Sequence, residues 1–477
     1  MHTELFIGNE FSPAHSGAKL SVINPATEEV LAPVASAGAE DIDRAVRSAR
    51  TCFESDTWRK LSARKRGALL QKAADLMEAR LNELAELETR QNGKPLFESK
   101  IDVVASVDTL RYYAGWADKI AGETLPVEGP FFAYTRPEPV GVVGAIVPWN
   151  FPLNLATWKV APAVAVGCTV VLKPAPETPF TALALGEIFR EAGFPPGVLN
   201  VVPGDGPTAG GGLVRHPEVD KIAFTGSTVV GQQVMREAAG TLKRITLELG
   251  GKSPNLIFAD ADLAAAVKGA HNGIFYGKGE VCAAGSRLLV ERSVKDQVVQ
   301  QLVERARKLT PGDPFAKETR LGAIASQKQQ KRVLGYIEKG RSEGARLLVG
   351  GKPAQVNGRG FFVEATVFDD VTPEMTIAQE EIFGPVLAVL PFETTEEAIR
   401  IANQSLYGLA AGLWTRDVAK AHRVAHAIRA GTVWINSYNV YDPVAPFGGY
   451  KQSGFGRDLG RHALENYTET KTVWVAT

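Results

Sequence analysis

The chain has 477 residues, long enough to bury a large core and, at ordinary domain sizes, to form roughly two to four units. Its 53 basic and 53 acidic side chains cancel, so it lacks the electrostatic footprint of a partner for nucleic acid or an anionic membrane. Three cysteines, Cys52, Cys168 and Cys282, cannot build a disulfide framework, and the count suits a reducing, cytoplasmic compartment.

The opening "MHTELFIGNEFSP" has neither a basic head nor an apolar run and does not read as a signal peptide. In "LSARKRGALLQKAADLMEARLNELAELETRQNG" the apolar positions Leu70, Ala73, Met77, Leu81 and Leu84 recur every three or four residues, which predicts a helix. Ser62 can cap its start, and Asn92-Gly93 supplies a stop.

After Gly141 the texture changes. The β-branched runs "VVGAIV", "TVVLKP", "LNVV" and "KIAF" are separated by helix-sized segments, which predicts right-handed crossovers and a parallel, doubly wound sheet. Such sheets bind ligands beyond the carboxyl ends of their strands. "PWN", "KPAPETP", "PGDGPTAG" and "FTGS" all follow strand ends. The longest apolar stretches, "VGVVGAIVP" and "APAVAVGCTVVL", are too short to span a bilayer.

Beyond Gly251 a second alternating series predicts another α/β domain. Its strands fall near "RLLVE", "PVLAVLPF", "LAAGLW" and "TVWIN", and its helices near 262–276, 294–308, 395–404 and 417–429. The tail "YTETKTVWVAT" alternates like a strand without a nearby partner, and another subunit is one place to find one.

Several residues can carry chemistry. "GSTVVG", from Gly226 to Gly231, opens a helix after a strand and can hold a pyrophosphate at the helix N-terminus. "GDGPTAG" spaces its glycines differently from the usual dinucleotide fingerprint. "GGKS" resembles the end of a P-loop, but Thr246 stands where the first P-loop glycine belongs, which rejects an ATPase. His422 and His426 lie four apart, yet Arg423 follows the first histidine where a metalloprotease needs glutamate, so the pair reads as helix surface. Asn150 is either a hydrogen-bonded structural amide or an oxyanion donor. Glu248 is either an ion-paired carboxylate or a general base. Cys282, in "GEVCAAGS", is packing, a ligand, half of a disulfide, or a nucleophile.

Together these pieces suit a reaction that needs a soft nucleophile, an oxyanion hole, a hydride acceptor and a water-activating base. From "INPATEEVLAPV" to "YTETKTV" the chain resembles the aldehyde dehydrogenase superfamily. The motifs "PWNFP", "KPAPETP", "FTGSTVVG", "LELGGKSPN", "GEVCAAGSRLLV", "EEIFGPV", "WINSYN" and "PFGGYKQSGFGRDLG" stand in family order. The resemblance implies Cys282 as nucleophile, Glu248 as general base, and Asn150 with the Cys282 N–H as the oxyanion hole. It implies a proton relay of Lys159, Glu248 and Asp458. Gly226, Ser227 and Gly231 match the cofactor turn, Trp149 and Lys173 further cofactor contacts, and Glu381 and Phe383 a nicotinamide-ribose clamp. Ile146, Pro176, Gly206 and Leu249 also fall at the cofactor by this resemblance, and Phe151, Leu155, Trp158, Val281, Tyr441 and Phe447 along the substrate tunnel.

Two positions depart from the common pattern. Pro176 stands where NAD-preferring members often carry a ribose-binding glutamate, with Glu177 next to it, and Asp458 replaces a glutamate. The expected fold is α/β, with a doubly wound Rossmann-type cofactor domain (1–118 and 140–250), a catalytic domain (251–452) and a small β oligomerisation extension (119–139 and 453–477). The expected activity is hydrolytic oxidation of an apolar aliphatic or aromatic aldehyde to its acid, with NAD as cofactor, NADP also accepted, and no catalytic metal. A homotetramer or homodimer is expected. The alternatives are a betaine-aldehyde or semialdehyde dehydrogenase of the same family, acyl transfer to coenzyme A, a cofactor-free cysteine hydrolase, and a silent structural homologue.

Overall fold

The computed structural model describes residues 1–477. Five parallel strands form the centre of the first sheet, in the spatial order Leu199–Val201, Thr169–Lys173, Val142–Ile146, Lys221–Thr225, Arg244–Glu248. Val142–Ile146, Thr169–Lys173 and Lys221–Thr225 are buried at every position, as expected for strands covered on both faces. The chain first adds strands to one side of Val142–Ile146 and then returns to add Lys221–Thr225 on the other. The strand order therefore reverses there, and a crevice opens at the carboxyl ends. Leu5–Ile7 and Gly454–Phe455 extend this sheet antiparallel at its two sides.

The helix predicted from Ser62 to Asn92 is two helices, Ala63–Ala79 and Leu81–Asn92. Ser62 caps the first by accepting the Lys65 N–H, and Gly93 ends the second at φ 83°. The break falls at Arg80, whose guanidinium is held by Glu83 and Glu187. The apolar period runs through it, which is why periodicity alone joins the two.

The helix Pro152–Val166 crosses the middle of the molecule almost wholly buried. Pro152 starts it, where a missing N–H costs nothing, and Gly167 closes it at φ 105°. One face carries Leu155, Trp158 and Lys159 at helical spacing toward the site described below.

The second sheet has seven strands, ordered Arg346–Val349, Thr366–Asp369, Val386–Phe392, Arg287–Glu291, Pro254–Ile257, Ala410–Trp414, Thr432–Ile435. All neighbours are parallel except the first pair. Three of these strands, Pro254–Ile257, Arg346–Val349 and Thr366–Asp369, were not expected.

The tail finds its partner within the chain rather than on another subunit. Thr468–Ala476 pairs antiparallel with Phe131–Pro139, from Thr468 opposite Pro139 to Ala476 opposite Phe131, and Thr124–Leu125 adds a third strand. Residues 454–455, inside the stretch assigned to the extension, sit instead on the first sheet. Glycine at 454, with φ 110°, allows this because a Cβ there would collide with the Leu247 carbonyl. No helix is long and apolar enough to cross a membrane.

Candidate active site

Cys282 lies in a turn between the short helical segment Tyr276–Gly279 and the strand Arg287–Glu291. Three successive residues before it, Gly277, Lys278 and Gly279, have positive φ (58°, 62° and 70°). For Lys278 this conformation is costly and is held by the surrounding contacts. The turn is seated on Gly251, where a Cβ would collide with the Cys282 carbonyl oxygen. The glycine pair Gly250-Gly251 thus brings the Glu248 and Cys282 loops together. Cys282 is partly exposed to a cavity, whereas Cys52 and Cys168 are buried in the core.

Asn150 is buried at the end of the "PWN" loop. Its Nδ2 donates to the carbonyl of Glu280, two residues before Cys282, at 3.0 Å, while its Oδ1 has no partner. One amide hydrogen remains for a ligand. A buried polar lattice that sequence reasoning missed holds this loop. Lys94 donates from Nζ to Asp102 (2.5 Å) and to the Asn150 carbonyl (2.7 Å). Asn92 Nδ2 donates to the Trp149 carbonyl at 2.7 Å. Lys278 Nζ donates to the Asn92 Oδ1 and lies 2.8 Å from Glu280. The segment "QNGKP" therefore ties the Asn150 loop to the Cys282 turn, besides ending a helix. Its signal was a lysine and an amide beside a left-handed glycine.

Glu248 ends the strand Arg244–Glu248, and both its carboxylate oxygens are buried without a hydrogen bond. Burial, and then the Asp458 charge, push its carboxyl well above the usual range, against the pull of Lys159 and Arg457. Lys159 and Asp458, both buried, pair at 2.9 Å. Burial likewise pushes the Cys282 thiol up to about 12, with the Glu381 and Glu248 charges adding to it. Burial thus favours the neutral form of both groups.

At the crevice of the first sheet the other expected cofactor residues gather. Ser227 caps the helix Thr228–Ala238, and a Cβ on Gly231 would stand 2.5 Å from the Leu249 side chain, so only glycine lets that helix approach. Ile146 and Lys173 face each other in register at the carboxyl ends of their strands. Lys173 donates from Nζ to the Pro174 carbonyl, and burial pulls it down to about 8 while Glu177 and Asp205 pull it up. Pro176 is half-buried beyond the strand, and Gly206 begins a short helical turn capped by Asp205. On the catalytic side Glu381 accepts the Gly251 N–H at 3.0 Å and is raised to about 7 by burial. Phe383 has φ 60° and meets Trp149 edge-on at 5.3 Å. An open helix N-terminus, the orphaned Thr225 hydroxyl and the half-free Glu381 carboxylate suit a dinucleotide across this crevice.

A cavity of about 720 Å³ reaches Cys282 from the opposite side. Phe151, Leu155, Trp158, Val281, Tyr441 and Phe447 all line it. Trp158, Tyr441 and Phe447 form an aromatic cluster with centroids 5.6–6.4 Å apart. His422 and His426 do not line this cavity and stand exposed on the helix Val418–Ala427.

This arrangement places a thiol, a buried carboxyl and an amide donor between an apolar cavity and a nucleotide-shaped crevice. Comparison with known proteins agrees. The model of the aldehyde dehydrogenase family matches residues 11–473. Human mitochondrial aldehyde dehydrogenase is 51% identical over 476 residues, covering 99% of this chain and 92% of that protein. Mouse retinal dehydrogenase 2 is 51% identical over 478 residues, with coverage of 99% and 92%. The NAD⁺ complex of aldehyde dehydrogenase from Bacillus cereus superposes with a TM-score of 0.98 at 53% identity, covering 100% of this chain and 97% of that one. With match, identity and fold all spanning nearly its full length, the chain belongs to the aldehyde dehydrogenase family.

Proposed function

We propose that the chain oxidises aldehydes with an apolar aliphatic or aromatic body to their carboxylic acids, using NAD⁺ and water. The observation that carries this reading is the seat of Cys282: alone among the three cysteines it lines this cavity, whose buried walls are mainly apolar and include Leu155, Trp158, Val281 and Phe447. Cys282 gives up its thiol proton to water in the cavity, and Sγ then attacks the carbonyl carbon as a thiolate. The free Asn150 amide hydrogen and the Cys282 N–H receive the alkoxide. Lys173, Ser227, Trp149, Glu381 and Phe383 would hold the dinucleotide, which would supply the hydride acceptor. An acyl group remains on Cys282 as a thioester. Glu248 then takes a proton from water, the resulting hydroxide attacks the acyl carbon, and the acid departs as Sγ recovers its proton. The buried Lys159–Asp458 pair, whose charges bear on Glu248, supports a route for the proton that Glu248 collects.

Lys173 with Pro176 supports acceptance of NADP⁺ beside NAD⁺. The two large sheets and the three-stranded one support a three-part division. Exposed Phe131, Phe132, Trp474 and Val475 on the small sheet, and Val229, Val230 and Met235 on the helix Thr228–Ala238, support a homodimer or homotetramer. Three free cysteines support a cytoplasmic site of action.

The test is a panel of aldehydes crossed with NAD⁺ and NADP⁺, followed by reduced-nicotinamide absorbance and compared by kcat/KM. Hexanal and benzaldehyde should be turned over with NAD⁺. A preference for succinate semialdehyde above about tenfold, roughly 1.4 kcal/mol of discrimination, would overturn the apolar pocket. Light scattering on the eluted protein should return two or four chain masses.

A further inference from the structure

The cavity at Cys282 changes character along its depth. Its buried walls are mainly apolar, with Glu98, Asp102 and Thr109 among them, but its exposed lining includes Lys268, Arg305 and Arg320, with half-buried His271 beside them. These come from three elements. Lys268 and His271 lie three residues apart on one face of the helix Leu263–Phe275, and Arg305 is on Arg292–Lys308, which packs against it. Arg305 is near enough for its charge to bear on His271. Arg320 sits with its guanidinium 4.7 Å from the centroid of Phe97, another lining residue.

These cations have no carboxylate partners. Arg320 donates only to the carbonyls of Lys317 and Thr319, and Lys268 and Arg305 take part in none of the ion pairs of the chain. Of the acids that line the cavity, Asp102 is paired with Lys94, and Glu98 is buried and accepts the Gly277 N–H. Only Asp442 stands exposed at the rim, where it accepts the Val444 N–H. In a chain whose charges cancel, three cations against one carboxylate at a single mouth is a local excess.

We propose that this rim is a subsite for an anionic oxygen group at the far end of an elongated aldehyde. The preferred substrates are then amphipathic: the aldehyde at Cys282, an apolar chain or ring along the aromatic wall, and a carboxylate or similar oxyanion among Lys268, Arg305 and Arg320. This rests on the reading of Cys282 as the nucleophile that meets the aldehyde. The volume falls inside the range of small-molecule sites, about 300–1,000 Å³. Guanidinium groups present a fork that fits a carboxylate better than a point charge does. Length decides the sign of the effect. A short semialdehyde leaves its carboxylate among Leu155, Trp158 and Phe447, where it is desolvated without a partner. A long one carries it out to the rim.

The experiment compares kcat/KM for two pairs: 9-oxononanoate with nonanal, and succinate semialdehyde with butanal. The long pair should favour the anion by about fivefold or more, and the short pair should disfavour it. Lys268→Gln/Arg305→Gln/Arg320→Gln should bring the long-pair ratio close to one without changing the sign of the short pair. Raising salt to roughly 0.5 M should shrink the wild-type ratio, since exposed charges are screened within a few ångströms there. An 8-formyloctyl sulfate arm tells whether any oxyanion serves or only a carboxylate. A long-pair ratio of one, or a high ratio untouched by the triple substitution, overturns the subsite. Absence of turnover with every aldehyde would instead bring down the parent reading of the site, whereas turnover of nonanal with a ratio of one brings down this inference alone.

Discussion

The ammonium of Lys94 donates to the backbone carbonyl of Asn150 at 2.7 Å, from a position where both residues are buried. This bond sets the height of the loop that carries the amide donor. Lys94→Met removes it and leaves Asp102 buried without its cation. Such a loss costs about 3–5 kcal/mol of stability, and a displaced oxyanion donor costs on the order of tenfold to a hundredfold in kcat. The double variant Lys94→Met/Asp102→Leu removes the stranded charge. Thermal melting of the double variant should recover while kcat stays low and the affinity for NAD⁺ is unchanged. Recovery of kcat with stability would make Lys94 a fold residue only.

Cys282→Ala should abolish oxidation while the protein still binds dinucleotide, read by fluorescence titration. Cys52→Ala and Cys168→Ala should keep activity if folded, because neither sulfur reaches the cavity. Near-normal turnover by the Cys282 variant would remove the thioester route.

Glu248→Gln should stall after the first half of the reaction. Rapid mixing should then show a burst of reduced nicotinamide followed by a slow steady state. The pH dependence has a definite sign. The Glu248 carboxyl is raised well above its usual range, so it holds its proton on the acid side and becomes a base only as pH climbs through that raised value. Deacylation in the parent protein should therefore quicken with rising pH, and the Gln variant should lose that rise. A burst that vanishes along with the steady state would place Glu248 earlier in the sequence of steps.

Pro176→Glu should sharpen the preference for NAD⁺ by weakening NADP⁺. The parent protein should use both, with NAD⁺ moderately better. Lys173 is buried with its ammonium at the Pro174 carbonyl, and its charge can meet either ribose hydroxyls or a 2′-phosphate. Pro176 offers neither a side-chain acceptor nor a repelling charge. The ratio of kcat/KM for the two dinucleotides in both proteins is the measurement. An unmoved ratio would shift the assignment to neighbouring Glu177.

The cofactor crevice was legible because its parts are local: a β-branched run, a glycine or proline turn, and then a helix. Cys282, Glu248 and Asn150 each left alternatives open until read together. The lattice beneath them was not legible. Charged side chains default to the surface, and Lys94, Lys278 and Glu280 escape that rule only through partners the fold supplies. Lys278, for instance, meets Asn92 from 186 residues away. The break at Arg80 leaves the apolar spacing intact, so it went unseen.

The small sheet has a consequence for the order of events during synthesis. Lys471 Nζ donates to Glu138 diagonally across its two long strands, and the two residues are 333 apart in the chain. At about 5–20 residues per second, the interval between their translation is roughly a quarter of a minute to a minute. Throughout that interval Phe131–Pro139 lacks its long partner, with Phe131 and Phe132 beside an open edge. A nascent chain is therefore sticky at this edge before it can be finished. Ribosomes translating the same message side by side risk joining immature copies there, and a chaperone that shields the segment for about a minute would protect yield more than one that acts after release.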